Sequence, residues 1–254
     1  MAQFYFDMDS EVEGEYPAAL TPYGSTTQTR EMRTDPERGF SFPEFNLHFE
    51  QENTGGTASH TSIHALVDDA SDEVEVACLM QPNYSRAWNL GPMLFGAEQG
   101  DAYGAFASRG GFDDGEIELA RLDEFETVSV ASNTLGEPRI DEYAPIWFRM
   151  RGNRATGEVK LKYWRVLEDG EFQDGADNEP DSWLIEWTDP SFLAGTLHGF
   201  YIHSRRNVYG FVLGVGTDGD SAPTSLSDMP DTPTNLQTVD ITDTSARLVW
   251  DAPT

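Results

Sequence analysis

The chain has 254 residues and carries 45 acidic against 16 basic side chains, a formal net charge of −29. This acidity excludes a role in binding duplex nucleic acid, because such binding needs a basic footprint on the protein. Acidic and aromatic residues are interleaved along the whole chain, so the charge does not mark a disordered tail. We interpret it as adaptation to molar salt, where the Debye length falls to about 3 Å and repulsion among carboxylates is screened.

The sequence predicts neither a signal peptide nor a membrane span. Residues 1–15 lack both a basic n-region and an apolar h-region. No apolar stretch approaches the roughly 20 residues that a spanning helix needs. The single cysteine, Cys78, alternates with Val76 and Met80, which favours a buried strand position and excludes an intrachain disulfide.

Taken in chain order, the sequence predicts many short strands separated by turns rich in Gly, Pro and Asp. One helical turn is predicted at residues 189–194. This pattern is typical of an all-β antiparallel sandwich or jelly roll over residues 1–217, in which the first and last strands often pair. The predicted strands, read from the sequence, are Phe4–Met8, an alternating run from Phe40 to Phe49, Ser62–Val67, Glu73–Met80, Ala87–Ala97, Tyr103–Ser108, Glu116–Leu122, Thr127–Ala131, Ile146–Arg151, Val159–Trp164, Trp183–Trp187, Gly195–Ser204 and Val208–Gly216.

The stretch from Ile146 to Trp164 predicts a hairpin with two different faces. Apolar residues alternate with polar or aromatic ones in both strands, which is typical of a half-buried antiparallel sheet. The second face holds both lysines of the chain beside two arginines and two tryptophans. We name this set the hairpin face and consider it the candidate ligand-binding surface: Trp147, Arg149, Arg151, Lys160, Lys162 and Trp164.

Aromatic rings with hydrogen-bonding groups are what a carbohydrate site needs, and the cations would suit an acidic glycan. If Arg149 opposes Lys162 and Arg151 opposes Lys160, like charges meet across the strands, which is locally unfavourable. Either an acidic ligand or carboxylates from neighbouring strands would relieve this repulsion. In the competing interpretation, Glu116, Glu118 or loop acids pair with the cations, and the tryptophans cap the sandwich.

The composition changes after Thr217. Residues 218–232 are rich in Ser, Thr, Pro and Asp and are predicted to be a linker. Residues 233–254 resemble the opening two strands of a fibronectin type III domain, an immunoglobulin-like sandwich. Two strands cannot bury a sheet face, so we expect either that the molecule continues beyond Thr254 or that this segment docks on another surface. The residues that carry this resemblance are Leu236, Val239, Ser245, Leu248, Trp250 and Pro253.

The preceding region resembles the concanavalin A-like lectin/laminin-G jelly-roll superfamily, and most of all its modules in tail and fibre proteins of tailed viruses. The resemblance implies a jelly-roll β-sandwich with a structural, adhesive or combined role. It is carried by the order of several motifs: Ser85-Arg86-Ala87-Trp88 and Gly91-Pro92, Tyr103-Gly104-Ala105-Phe106, Trp147-Phe148-Arg149-Met150-Arg151, Val159-Lys160-Leu161-Lys162-Tyr163-Trp164, and Glu179-Pro180-Asp181-Ser182-Trp183 leading to Gly195 and Gly199.

The acidic residues suggest two further kinds of chemistry, glycoside hydrolysis and metal binding. Glycoside hydrolysis needs two carboxylates flanking the bond, and Glu116 with Glu118 or Glu124 with Glu126 has a fitting spacing. In a chain this acidic such pairs arise by chance, so no enzymatic activity is predicted. No cofactor is predicted beyond a candidate structural Ca²⁺, for which carboxylate oxygens are suitable ligands. The candidate ligands are Asp7, Asp9, Asp218 and Asp220.

These observations predict a virion protein of a salt-requiring, archaeal host, acting outside cells as a tail or fibre component. Its expected partners are further copies of itself, other tail proteins and a host surface glycan or glycoprotein. The alternative is a secreted or cell-surface lectin or carbohydrate-active enzyme with an ancillary fibronectin domain.

Overall fold

A computed structural model describes residues 2–7, 15–24, 29–33, 48–52, 60–82, 88–109, 115–134, 146–165, 167–168, 171–172, 178–204, 208–225, 228–229, 234–239 and 247–251. The predictions for Asp9, the run from Phe40 to Leu47, and Ser85 to Ala87 lie outside these residues. The strands are β1 Ala2–Asp7, β2 Thr21–Gly24, β3 Thr29–Arg33, β4 His48–Glu52, β5 His60–Asp68, β6 Glu73–Pro82, β7 Trp88–Gly96, β8 Ala102–Arg109, β9 Gly115–Asp123, β10 Glu126–Thr134, β11 Ile146–Asn153, β12 Glu158–Arg165, β13 Leu167–Glu168, β14 Glu171–Phe172, β15 Ile185–Thr188, β16 Leu197–Ser204, β17 Val208–Thr217, β18 Thr234–Val239 and β19 Arg247–Asp251.

Within the described residues, two large antiparallel sheets form the sandwich. Sheet I has the strand order β15-β12-β11-β6-β17-β4-β3, and β1 also pairs with β17. Sheet II has the order β10-β9-β8-β7-β16-β5-β2. In the part of the chain that the structure describes, no helix is long and apolar enough to cross a membrane. The architecture confirms the predicted all-β jelly-roll sandwich.

Strand alternation builds the core between the sheets. In β11, Ile146, Phe148 and Met150 are at most 2% exposed and share one apolar cluster with Ile117 and Leu119 of sheet II. The alternate residues of β11 and β12 point to the outer side of sheet I, as the period of a strand requires. The predicted register of this hairpin is confirmed, because Arg149 opposes Lys162 and Arg151 opposes Lys160.

Strands near the two ends of the chain belong to different sheets. The predicted pairing of the first and last sandwich strands is confirmed, with Phe4 opposite Val215 and Phe6 opposite Leu213. Further along, β18 and β19 pair as a separate two-stranded antiparallel sheet. This hairpin lies where the fibronectin-like sequence was noted, and its assignment to a fibronectin domain stays a prediction.

The helical turn predicted at residues 189–194 is wrong. Asp189 instead terminates β15 through side-chain bonds: its Oδ1 accepts the Ser191 N–H at 2.8 Å and its Oδ2 accepts the Tyr103 hydroxyl at 2.6 Å. Arg121 adds an ion pair to Oδ2 at 3.0 Å. Burial alone would raise the pKa of Asp189, but these partners outweigh it and hold the pKa below its ordinary value. A short polar side chain thus competes with helix formation by bonding to nearby backbone.

A buried histidine ties sheet II to the loop before β6. His198 is fully buried; its Nδ1 accepts the Phe95 N–H at 3.3 Å, and its Nε2 lies 3.0 Å from the Asp69 carbonyl oxygen. This pairing requires the neutral ring with the proton on Nε2. Burial is the main cause that lowers the pKa of His198 to about 4.

Candidate functional site

The hairpin face lies within rows of charge that run across sheet I. Strand register places Arg151 beside Glu75 on one side and Lys160 on the other. Lys160 in turn lies opposite Glu186 of β15. The two like charges at the centre of this row are therefore flanked by carboxylates on neighbouring strands, which offsets their mutual repulsion.

Arg149 and its partners form a buried ion cluster next to that row. Its Nη1 lies 2.6 Å from Glu75 Oε1, and its Nε lies 2.7 Å from Glu179 Oε1. Arg149 is 8% exposed and Glu75 is 3% exposed, so both charged groups are shielded from bulk water. Burial would lower the pKa of Arg149, but the two carboxylates raise it above its ordinary value. We refer to Arg149, Glu75 and Glu179 as the Arg149 cluster.

The segment after β17, which we name the strap (residues 218–225), covers this cluster. The Ala222 N–H donates to Glu75 Oε1 at 3.0 Å, and the Ala222 carbonyl accepts from Arg149 Nη1 at 2.7 Å. Two glycines of β17 allow the close approach: a Cβ at Gly214 would lie 2.0 Å from the Pro223 carbonyl oxygen, and one at Gly216 would lie 2.4 Å from that of Asp220. The first part of the predicted linker is thus packed against sheet I.

The two tryptophans of the hairpin face are buried as a stacked pair. Their ring centroids are 5.9 Å apart with planes 10° from parallel, and Trp147 and Trp164 are 3% and 4% exposed. They pack with Leu79, Phe211 and Ala222 of the strap. In this arrangement the rings act as packing surface, because a ligand could not reach their faces without displacing their neighbours.

The cations of the hairpin face are paired with carboxylates of the protein. These carboxylates, rather than a ligand, relieve the repulsion between the like charges. Loop acid Glu179 is one partner, as the competing interpretation allowed. Glu116 and Glu118 lie on β9 of sheet II, whereas the hairpin face belongs to sheet I. With the neighbouring glutamates included, the face is not basic: four cations meet five carboxylates, from Glu73, Glu75, Glu158, Glu179 and Glu186.

Glu179 also fixes the loop that precedes β15. Its Oε1 lies 2.6 Å from Lys162 Nζ, which donates in addition to the Pro180 carbonyl at 3.0 Å. The same ammonium lies 5.1 Å from the centroid of the Trp183 ring, within cation–π distance. The Leu184 N–H donates to the Leu161 carbonyl at 2.9 Å and anchors the end of the loop. These contacts hold Trp183 at the border of the face.

An open cleft remains at this border, with a volume of about 110 Å³. It contains two residues of the hairpin face, Arg151 and Lys160, which are 31% and 25% exposed at their side chains. Trp183 supplies a partly buried aromatic ring. The cleft is lined by Glu73, Arg151, Asn153, Glu158, Lys160 and Trp183.

Ion pairs fix the cations of the cleft. Arg151 Nε lies 3.1 Å from Glu73 Oε1, and Arg151 Nη2 donates to the Gly219 carbonyl of the strap at 3.0 Å. Lys160 Nζ lies 3.0 Å from Glu186 and 3.6 Å from Glu158. The hydrogen bond to Glu186 is the main cause that raises the pKa of Lys160. The cleft is therefore a charge-balanced, hydrogen-bonding surface beside an aromatic ring.

Sequence reasoning identified Arg151 and Lys160 but did not select Glu73, Asn153 or Glu158. A signal was available for Glu73, since Glu73 and Glu75 alternate with Val74 and Val76 in a strand. Such alternation predicts two carboxylates on one face, but it does not say which strand lies beside them.

Of the candidate Ca²⁺ ligands, Asp7 and Asp218 lie at opposite ends of the β1–β17 pair. Asp7 opposes Val212, whereas Asp218 follows Thr217, which opposes Ala2 at the other end of the β1–β17 pair. Asp7 and Ala2 are five residues apart on β1, which corresponds to about 17 Å along an extended strand. Asp218 and Gly219 both have positive φ, 55° and 87°, and form a tight turn. Among the described residues, no group of three His, Cys, Asp or Glu is placed to hold a metal.

Comparisons with known proteins identify the fold alone. No family model matches the sequence, and no curated protein matches it. The structure is similar to a Lotus tetragonolobus seed lectin, with a TM-score of 0.50 and 7% identity over 85% of this chain and 97% of that chain. Lectin I-B4 from Griffonia simplicifolia gives a TM-score of 0.49 at 10% identity, covering 86% of this chain and 100% of the other. The Ca²⁺-bound exoplasmic/lumenal domain of VIP36 gives 0.48 at 10% identity, covering 83% and 88%. The chain therefore has a jelly-roll sandwich fold like that of the Lotus tetragonolobus seed lectin.

Proposed function

We propose that this protein is a carbohydrate-binding module and that the cleft beside Trp183 is its binding site. The observation that carries the proposal is the composition of the cleft, where one aromatic ring stands beside five side chains that donate or accept hydrogen bonds. A pyranose presents C–H groups on its ring faces and hydroxyls around its rim. An aromatic wall and a polar floor complement both features. The lectin-like fold of the sandwich is consistent with this role.

The experiment is glycan-array screening of the purified protein in buffers of low and molar salt, followed by calorimetric titration of the sugars that bind. Trp183→Ala should abolish or strongly weaken binding, because it removes the aromatic wall. Phe4→Ala is the matched control, since Phe4 is a 37% exposed aromatic residue on β1. Unchanged affinity in Trp183→Ala, or no binding to any glycan on the array, would contradict the proposal.

We further propose that the module acts outside cells as an adhesive tail or fibre component of a virus whose host requires salt. The support is the net charge of −29, which suits molar salt, and the sequence resemblance to tail modules. Repeated copies on a fibre would raise the avidity of a weak sugar site. Antibodies against the protein should then label the tails of purified virus particles. Recovery in the particle-free fraction of host cultures would instead favour a secreted or cell-surface lectin.

A further inference from the structure

The two cations that line the cleft are already ion-paired within the protein. Arg151 is held between Glu73 at 3.1 Å and Glu75 at 3.5 Å, and its Nη2 is bonded to the Gly219 carbonyl. Lys160 is held between Glu186 and Glu158. Each cation thus has two carboxylates within 4 Å, so a ligand carboxylate or sulfate could bind only by displacing one of them or by lying beside it.

A cationic ligand is disfavoured for a related reason. Arg151 and Lys160 lie opposite one another in the strand register, and both line the cleft. An incoming amine meets the same ion pairs, because Arg151 and Lys160 are each held by two carboxylates. The carboxylates that could attract the amine are already engaged by the two cations, and breaking those contacts has a cost in solvation and hydrogen bonding.

Hydroxyl groups can bind in the cleft without breaking the ion pairs of Arg151 and Lys160. Arg151 and Lys160 carry several N–H donors each, and Glu73, Glu158 and the Asn153 amide provide acceptors that can take further bonds. A hydroxyl both donates and accepts, so it can bridge a paired cation and carboxylate without separating them. The partly buried ring of Trp183 adds an apolar wall for C–H groups.

We infer that the cleft selects an uncharged pyranose and discriminates against both the uronic acid and the amino sugar of the same ring configuration. This inference rests on the proposed carbohydrate-binding function, and it replaces the acidic glycan that the sequence predicted. The selecting feature is the balanced row Glu75–Arg151–Lys160–Glu186, which runs directly across four strands of sheet I.

The test uses matched sets of methyl glycosides titrated against the full chain. Each set contains a hexose (glucose, galactose or mannose), its 6-carboxylate and its 2-amino-2-deoxy derivative. The neutral member of at least one set should bind at least tenfold tighter than its charged members. Its Kd should change less than twofold between 0.15 M and 2 M NaCl, because ion screening acts on charged ligands.

Two variants test whether the preference for the neutral sugar depends on the carboxylates around Arg151. Glu73→Gln leaves Arg151 with one carboxylate fewer, so the preference for the neutral sugar over the uronate should shrink about tenfold. Glu118→Gln removes the same charge from β9 of sheet II and should leave the preference unchanged. An equal loss of preference in both variants would overturn the inference, because it would reduce the selection to the net charge of the protein.

The two proposals fail in different ways. If the wild-type protein binds the uronate or the amino sugar as tightly as the neutral hexose, the inference is overturned while the carbohydrate-binding function stands. If no member of any set binds and the glycan array is also blank, the proposed function fails and the inference fails with it.

Discussion

At both ends of the hairpin face, cations lie near tryptophan rings, but the surroundings of the two ends differ. At one end, Arg149 and the stacked pair Trp147 and Trp164 are buried beneath the strap and the Glu179 loop. At the other end, Arg151 and Lys160 keep a quarter to a third of their side-chain surface exposed beside Trp183. The segments that cover a strand decide whether a cation beside an aromatic ring is buried or accessible. The residues of the strand itself do not decide this.

The largest expected effect tests the buried end. Arg149→Met should lower the free energy of unfolding by about 3–5 kcal/mol, because the buried Glu75 loses its shorter ion pair and keeps only the 3.5 Å contact with Arg151. Arg151→Met should cost less than about 1 kcal/mol, since that ion pair is partly exposed. Denaturant unfolding at fixed salt compares the two variants. Equal losses would show that the two ends do not differ in burial, and the double variant Glu75→Gln with Arg149→Met should recover part of the larger loss.

A second prediction concerns the pH dependence of stability that the burial of His198 causes. The pKa of His198 is lowered to about 4 from an ordinary 6.5, so the unfolded chain binds the proton more readily between these values. Stability should therefore fall as pH falls through this window, by up to about 3 kcal/mol at pH 4. Unfolding curves of wild type and His198→Gln should differ by an amount that shrinks from pH 7 to pH 4. A constant difference would contradict the assigned neutral ring.

A third prediction would turn the buried end into an open one. Gly214→Ala places a methyl group against the Pro223 carbonyl, so the strap must shift, at a cost of roughly 1–3 kcal/mol. Acrylamide quenching of tryptophan fluorescence should increase as the Trp147–Trp164 pair becomes accessible. Ser221→Ala is the control within the strap, because the Ser221 side chain is exposed and its backbone carbonyl, not its hydroxyl, accepts the hydrogen bond from Gln3. Unchanged quenching in Gly214→Ala would mean that the strap does not shield the pair.

The smallest expected effect on stability belongs to the open end. Trp183→Ala should change the free energy of unfolding by about 1 kcal/mol or less, because the ring is only partly buried and borders the cleft. Sugar affinity should nevertheless fall at least tenfold. Parallel unfolding and calorimetric titration separate the two effects, and a stability loss as large as that of Arg149→Met would assign Trp183 to packing.

The sequence predicted local features well because they depend on neighbouring residues. Alternation in β11 and β12 defined both faces and the facing pairs Arg149–Lys162 and Arg151–Lys160, which the structure confirms. Period-2 patterns require no knowledge of distant residues. The pairing of β1 with β17 was also anticipated, from the tendency of the first and last strands of such sandwiches to be neighbours.

The covering of the hairpin face could not be predicted in the same way. The strap reaches Arg149 from 73 residues further along the chain, and the sequence of this segment is typical of a linker. Its close approach depends on Gly214 and Gly216, which sequence alone presents as ordinary strand glycines. Glu75 likewise reads as one more solvent-facing acid in an acidic chain until strand order places it beside Arg149 and Arg151. Burial of the two tryptophans follows from these long-range contacts.

The most direct test of the cleft as the binding site is a ¹H–¹⁵N NMR titration of the full chain with the neutral methyl glycoside that binds most tightly. Chemical-shift changes should concentrate at Arg151, Asn153, Lys160, Gly219 and the indole N–H of Trp183, and should leave Trp147 and Trp164 unchanged. Changes confined to sheet II, or to the Trp147–Trp164 pair, would place the site elsewhere and contradict the account.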